Sequence, residues 1–236
     1  MKILSIECSA GPASCAIIDD GKMLASSFIN ARLTHSQTLV PMIINMLNNS
    51  ATQLSDIDNI AIAVGPGSFT GLRIGISAVK GLCAATKKPC IPVSTLEGMA
   101  EQFINKDCIV CAVMDARCNQ FYNALFEIKN GNVTRLCKDR ALLGDELKKE
   151  IDNISTNTKI IICGDGADLF YKTVSDFPNV VLADEYLKFQ SAVGVGMFAY
   201  KNINYISALS PEELLPTYLR LPQAERELKA KTEAQK

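Results

Sequence analysis

"AVGPGSFTGLRIG", residues 63–75, sets four glycines and a proline directly behind the apolar run Ile60–Val64. A run of β-branched and small apolar residues broken by glycine and proline reads as a strand, a turn and the start of a helix. Two readings of the glycines compete. Free N–H groups gather where a turn opens a helix, so an anion can sit there. The segment is nevertheless no P-loop, because no Lys-Ser or Lys-Thr follows its last glycine. The step from Gly67 to Gly71 is also one residue too long for G-x-G-x-x-G. The other reading uses the helix. Gly71, Gly75 and Ala78 share one face, and Leu82 continues the row. Small residues let another helix approach closely, within the chain or from a partner. Each helical glycine costs about 1 kcal/mol relative to alanine, and a close helix seam is the simplest compensation.

Upstream, the first thirty residues read as a three-strand meander, "KILSIE", "SCAIID" and "KMLASSFI", with Asp20-Gly21 as the tight turn before the third strand. A helix is expected from about Thr34 to Leu47, with Thr34 and Gln37 as a capping box. Leu39, Ile43, Met46 and Leu47 form its apolar stripe, and Pro41 should kink it or mark a late start. Beyond the glycine segment, "PCIPVS" reads as a strand and "TLEGMAEQF" as a helix.

The pattern then begins again. "DCIVCAVMD", "QFYNALFEI" and "NVTRLCK" repeat the meander, with Asn130-Gly131 in the place of Asp20-Gly21. Helix "LLGDELKKEI", strand "KIIIC", helix "GADLFYKTV", strand "VVLA" and helix "SAVGVGMFAYKNI" follow. An acid closes the first strand of each half, Glu7 and Asp115, and lies 14 and 16 residues before the turn glycine. This is a duplicated β-β-β-α-β-α unit. The expected fold is α/β, two ribonuclease-H-like halves in an actin-like or sugar-kinase-like arrangement, divided into residues 1–105 and 106–236.

Composition narrows the function. The 236 residues carry 24 Lys and Arg against 25 Asp and Glu, and phosphate-gripping surfaces need a cationic surplus. Direct RNA binding is therefore disfavoured. Arg117, Arg135 and Arg140 are expected to be solvated or paired with acids, or to touch RNA only within an assembly. No apolar run approaches the roughly 18 to 20 residues of a membrane span, and the opening "MKILSIECSAG" suits a strand better than a signal peptide. Nine irregularly spaced cysteines read as reduced core residues of a cytoplasmic protein. Cys108 and Cys111, three apart on a strand, point to opposite faces and make a poor zinc pair. His35, the one histidine, is expected to cap a helix or make a hydrogen bond.

"GPGSFTGLRIGISAVKGL" closely resembles the signature of the TsaB (YeaZ) family, bacterial proteins of threonylcarbamoyl-adenosine synthesis in tRNA. "ILSIECSAGPASCAII", "RLTHSQTLVPMI", "VSTLEGMA", "AVMDARCNQFYNALF", "CGDGA" and "LLPTYLR" extend the resemblance along nearly the whole chain. It implies a two-lobed, actin-like, non-catalytic scaffold that binds a TsaD-type transferase. The expected contacts are Leu39, Met42, Ile43 and Met46 on the first helix and Gly71, Ile74, Gly75 and Ala78 on the second. The same surface is expected to form a homodimer when the partner is absent. A TsaE-type ATPase is the implied third member, and tRNA is met only through the complex. TsaD-type paralogues carry a metal-binding histidine pair around a shared Glu-Gly. Aligned on Glu97-Gly98, this chain has Thr95 and Met99 there, neither of which replaces an imidazole.

No cofactor is expected. Glu7 and Asp115 are the candidates for a weak ATP, ADP or magnesium contact. Asp165 between Gly164 and Gly166 would repel phosphate where actin-type ATPases carry a Gly-Gly turn. The alternative function is an active ATPase or small-molecule kinase of the same superfamily.

Overall fold

The computed structural model describes residues 1–31, 33–154 and 158–220. The helical tail expected from Leu221 onward lies outside the described residues. Strands β1 (Lys2–Glu7), β2 (Ala13–Asp19), β3 (Lys22–Ile29), β4 (Asn59–Gly65) and β5 (Cys90–Ser94) form one sheet in the order β3-β2-β1-β4-β5. The meander is antiparallel and the β1-β4-β5 side parallel. Strands β6 (Cys108–Asp115), β7 (Gln120–Lys129), β8 (Asn132–Arg135), β10 (Ile160–Cys163) and β11 (Val180–Leu182) repeat that order as β8-β7-β6-β10-β11. The alternating patterns that suggest a duplication in the sequence thus become two copies of one sheet topology.

Asp20-Gly21 and Asn130-Gly131 take left-handed φ angles of 46° and 75°, and of 50° and 76°. That pairing is what a two-residue hairpin turn requires. β9 (Arg140–Leu143) adds to β7 and was not legible, because "LL" reads equally well as the start of the next helix.

Helices α1 (His35–Asn49) and α2 (Phe69–Thr86) cover one face of the first sheet. α1 runs through Pro41 without a break. The expected capping box does not form: Thr34 Oγ1 bonds the Gln37 side chain, and no side chain caps the helix start. α4 (Gly144–Asn153) and α5 (Ala167–Tyr171) cover the second sheet, while the short α6 (Glu185–Lys188) precedes the final helix.

The division at 105/106 needs correction. α3 (Thr95–Glu101) belongs to the first half in sequence, yet Leu96, Met99 and Ala100 pack with Val110, Ala112 and Phe126 of the second sheet. α7 (Ala192–Lys201) belongs to the second half, yet Val195 and Ala199 pack on Ile3, Ile18 and Ala61 of the first. Each half lends its last helix to the other. Apolar stripes record that a helix is buried but not which sheet buries it.

The chain after α7 also stays with the first half. Leu209 bridges Cys90 at the β5 edge, Leu214 is fully buried in the first core, and Thr217 N–H donates to the Val64 carbonyl at 2.7 Å. Burying Leu214 contributes about 2 kcal/mol toward holding this strap of residues 208–220, beside the backbone bonds at Leu209 and Thr217. Its end crosses over: Leu219 packs against the second half, and Arg220 Nη1 donates to the Ala116 carbonyl.

Candidate functional site

Ser68 caps α2, its hydroxyl accepting from Gly71 N–H, and its own N–H donates to the Ser9 carbonyl at 2.7 Å. This docks the glycine turn on the loop that follows β1. A β-carbon on Gly71 would collide with the Cys8 carbonyl oxygen, and one on Gly75 with the Cys8 sulfur. The glycine row therefore exists so that α2 can lie against the end of its own strand β1. This corrects the expectation that Gly71 and Gly75 form a seam with a partner. Leu39, Met42, Ile43 and Met46 are likewise buried, between 1% and 5% exposed. The apolar stripe of α1 faces its own sheet, so these four are not available at the surface. Ala78 packs at the margin of the core, and Ile74 is half-buried.

What the two helices turn outward is different. Val40 and Ile44, one turn apart on α1, are 45% and 51% exposed. Around them stand Gln37, Pro41, Asn45 and Asn48, all exposed and uncharged. Neither α1 nor α2 contains an aspartate or glutamate, and apart from His35 their ionisable side chains are Arg73 and Lys80, with Cys83 buried. α4, by contrast, carries charge through most of "GDELKKEIDN", as a solvated helix usually does.

The acids that end β1 and β6 meet at a cleft between the halves. A cavity of about 470 Å³ opens there, lined by Ser9, Gly67, Ser68 and Thr70 from the first half, Asp115, Arg117, Tyr122 and Asp165 from the second, and Arg220 from the strap. Asp115 accepts from Arg117 N–H at 2.7 Å, with the guanidinium 3.4 Å away. Glu7 is buried beneath this wall, and its Oε1 accepts from Ser9 N–H at 2.5 Å while Oε2 has no partner among the described residues. Burial pushes its carboxyl up to about 7, and the neighbouring Asp165 adds to the shift. Asp165 is pushed up to about 6, mainly by burial and further by Asp115, although Gln190 Nε2 donates to it at 2.7 Å.

Asp165 sits in a second glycine turn. β-Carbons on Gly164 and Gly166 would strike the β6 backbone at Val113 and Asp115, repeating in the second half what Gly67 and Gly71 do in the first. The three acids are thus close enough that Asp165 raises the Glu7 carboxyl and Asp115 raises that of Asp165. Like charges at this range repel strongly in a partly desolvated site. Among the described residues no group of three or more His, Cys, Asp or Glu side chains is placed to hold a metal ion.

The remaining candidates are structural. Thr95 and Met99 lie in the core, Met99 beneath the Gly164 turn. His35 Nε2 bonds the Ala10 carbonyl at 2.8 Å, tying the start of α1 to the cleft loop. Arg135 pairs with Glu97 and Asp139, and Arg140 with Glu150. Cys108 and Cys111 fall in cores on opposite faces of β6, and all nine cysteines are free thiols. No helix among the described residues is long and apolar enough to cross a membrane. Arg220 lines the cleft and Gln190 bonds Asp165 from distant segments, Tyr218 stacks on Phe69 at its edge, and nothing local in the sequence marks them. Only the resemblance of "LLPTYLR" touches two of them.

A family model described as TsaD, tRNA N6-adenosine threonylcarbamoyltransferase, matches residues 29–227. The tRNA threonylcarbamoyladenosine biosynthesis protein TsaB of Bacillus subtilis is 27% identical over 95% of this chain and 96% of its own length. That of Escherichia coli is 36% identical over 64% of this chain and 65% of its own. The solved structure of YeaZ from Pseudomonas aeruginosa superimposes with a TM-score of 0.76 at 26% identity, covering 92% of this chain and 99% of that one. The duplicated sheets and exchanged helices are an actin-like architecture, and the chain belongs to the TsaB (YeaZ) family of tRNA threonylcarbamoyladenosine biosynthesis proteins.

Proposed function

We propose that the chain is a non-catalytic subunit that docks a TsaD-type transferase and enables it to transfer the threonylcarbamoyl group to tRNA adenosine. The observation that carries this is the outward face of α1 and α2, apolar at Val40 and Ile44 and free of carboxylates over both helices. Interface centres are depleted of charge because desolvating an ion is costly. Ile74 is the one member of the expected contact set that is half-buried and packs in none of the described core clusters. The same face would serve a homodimer when the transferase is absent. A TsaE-type ATPase would join at the assembled pair, and tRNA would be met only there.

Chemistry within this chain is disfavoured by its cleft. The cavity has a nucleotide's size, but a bound phosphate would approach Asp115 and Asp165. An active ATPase or small-molecule kinase would show itself as micromolar ATP binding to the isolated chain in calorimetry. The decisive assay supplies threonylcarbamoyl-adenylate and tRNA to a TsaD-type enzyme with and without this protein. Transfer that requires the chain, with none by the chain alone, supports the scaffold reading. Transfer that is indifferent to the chain overturns it.

A further inference from the structure

Three of the five described arginines pair with carboxylates, and Arg220 donates to the Ala116 carbonyl. Arg135 has Glu97 and Asp139, Arg140 has Glu150, and Arg117 lies against Asp115. Arg73 differs. It is exposed on α2, and its Nε donates to the Tyr218 hydroxyl at 2.9 Å, a neutral acceptor. The guanidinium lies 5.7 Å from the centre of the same ring. Among the described residues neither Nη has a protein acceptor and no carboxylate pairs with it. Tyr218 is itself fixed, stacked on Phe69 with ring centres 4.6 Å apart, beside the Thr217 bond to Val64. The strap thus holds one edge of the guanidinium and leaves the fork that binds carboxylates in two-point fashion unclaimed.

The other cation of these helices is engaged: Lys80 Nζ donates to the Glu212 carbonyl at 3.3 Å. Glu212 and Glu213 are the acids beside it, and Lys80 stands about 10 Å along the helix from Arg73. The Glu213 carboxylate already accepts from Ser210 N–H at 2.9 Å. A second copy of this chain, docked face to face, would bring no carboxylate on α1 or α2 to Arg73. A different protein with an acid at that point would gain a charge-assisted pair that the self-contact lacks.

We propose that Arg73, positioned by Tyr218 of the strap, selects a carboxylate-bearing partner protein over a second copy of the chain at the α1–α2 face. This rests on the docking reading above, with the TsaD-type transferase as the occupant. An unmet ion is what makes one partner worse than another at a shared surface.

The test compares the dissociation constant for a TsaD-type transferase, by calorimetry, with that for self-association, by sedimentation equilibrium. Arg73→Ala is expected to weaken the heteromeric complex by about tenfold or more and to flatten its salt dependence. Self-association should stay within about twofold, since neither α1 nor α2 of a second copy offers Arg73 a carboxylate to lose. Arg73→Lys should recover part of the loss, and Tyr218→Phe should reproduce part of it. If Arg73→Ala leaves the heteromeric affinity unchanged while Val40→Asp abolishes the complex, the docking face stands and the role of Arg73 is wrong. Equal weakening of both associations also overturns it, because Arg73 would then support the face without selecting. If Val40→Asp leaves the complex intact, the docking reading fails and the inference falls with it.

Discussion

A β-carbon on Gly194 would collide with the carbonyl oxygen of Gly98, so α7 and α3 cross at backbone contact. This crossing is where the two halves exchange their last helices. The blocking atom is backbone and cannot swing aside. Gly194→Ala gains about 1 kcal/mol of helix propensity but must push the helices apart, an overpacking cost of about 3 kcal/mol. Strain wins. Thermal unfolding should show a Tm lower by about 4–8 °C; an unchanged or raised Tm would refute the crossing.

At Gly75 the obstacle is the Cys8 sulfur, a side-chain atom that can be removed. Gly75→Ala alone is expected to destabilise by about 1–2 kcal/mol. Combined with Cys8→Ala, it should recover about 1 kcal/mol or more of coupling in a double-mutant cycle of urea unfolding. Strict additivity would show that α2 does not rest on β1 here. It follows that Gly75→Leu is no test of a partner seam, since it would first force α2 from its own sheet.

Glu7 makes stability depend on pH. Its carboxyl sits near 7 in the folded chain against 4.5 for the free group, so the folded state holds the proton more tightly. The stability this provides is full below about pH 4.5 and is lost as pH rises through 7, to a total of roughly 3 kcal/mol. Asp165, raised to about 6, acts in the same direction. Glu7→Gln should therefore narrow the difference in unfolding free energy between pH 5 and pH 8 by a similar amount. A variant with the wild-type pH profile would mean that Glu7 is ionised in the fold.

The strap depends on Leu214, which is fully buried among first-half residues. Leu214→Ala should cost about 3 kcal/mol. Amide exchange should then quicken at Leu209 and Thr217, whose N–H groups bond Cys90 and Val64. Protection that persists at both amides would show that the strap is held by something else.

Ile44→Asp tests the outward face without touching the core. With the side chain 51% exposed, the change in stability should stay within about 0.5 kcal/mol. Transfer in the reconstituted assay should nevertheless fall by at least about tenfold. Full activity would place the docking surface elsewhere.

Most of the elements were legible in the sequence. "NIAIAV" and "FTGLRIGISAVKGLCAAT" stand as β4 and α2, and both hairpin turns carry the residue pairs that left-handed φ angles demand. These features depend on local sterics and on spacing of two or 3.6 residues, which a sequence displays directly. The residues expected to meet a partner from α1 are buried for a related reason. Periodicity finds the stripe that is buried, and Leu39, Met42, Ile43 and Met46 are that stripe, spent on the protein's own sheet. The docking face we propose carries the opposite signal, the absence of charge on the outward side of α1.

The sequence by itself determined the duplicated strand and helix order, the turns, the reduced cysteine-rich core and the acids that end β1 and β6. Only the tertiary structure decided that α3 and α7 change places, that the glycines of α2 press on Cys8, and that Tyr218 reaches back across 145 residues to hold Arg73. Those contacts are set by how apolar faces find each other in three dimensions, and hydrophobic burial has no direction along the chain.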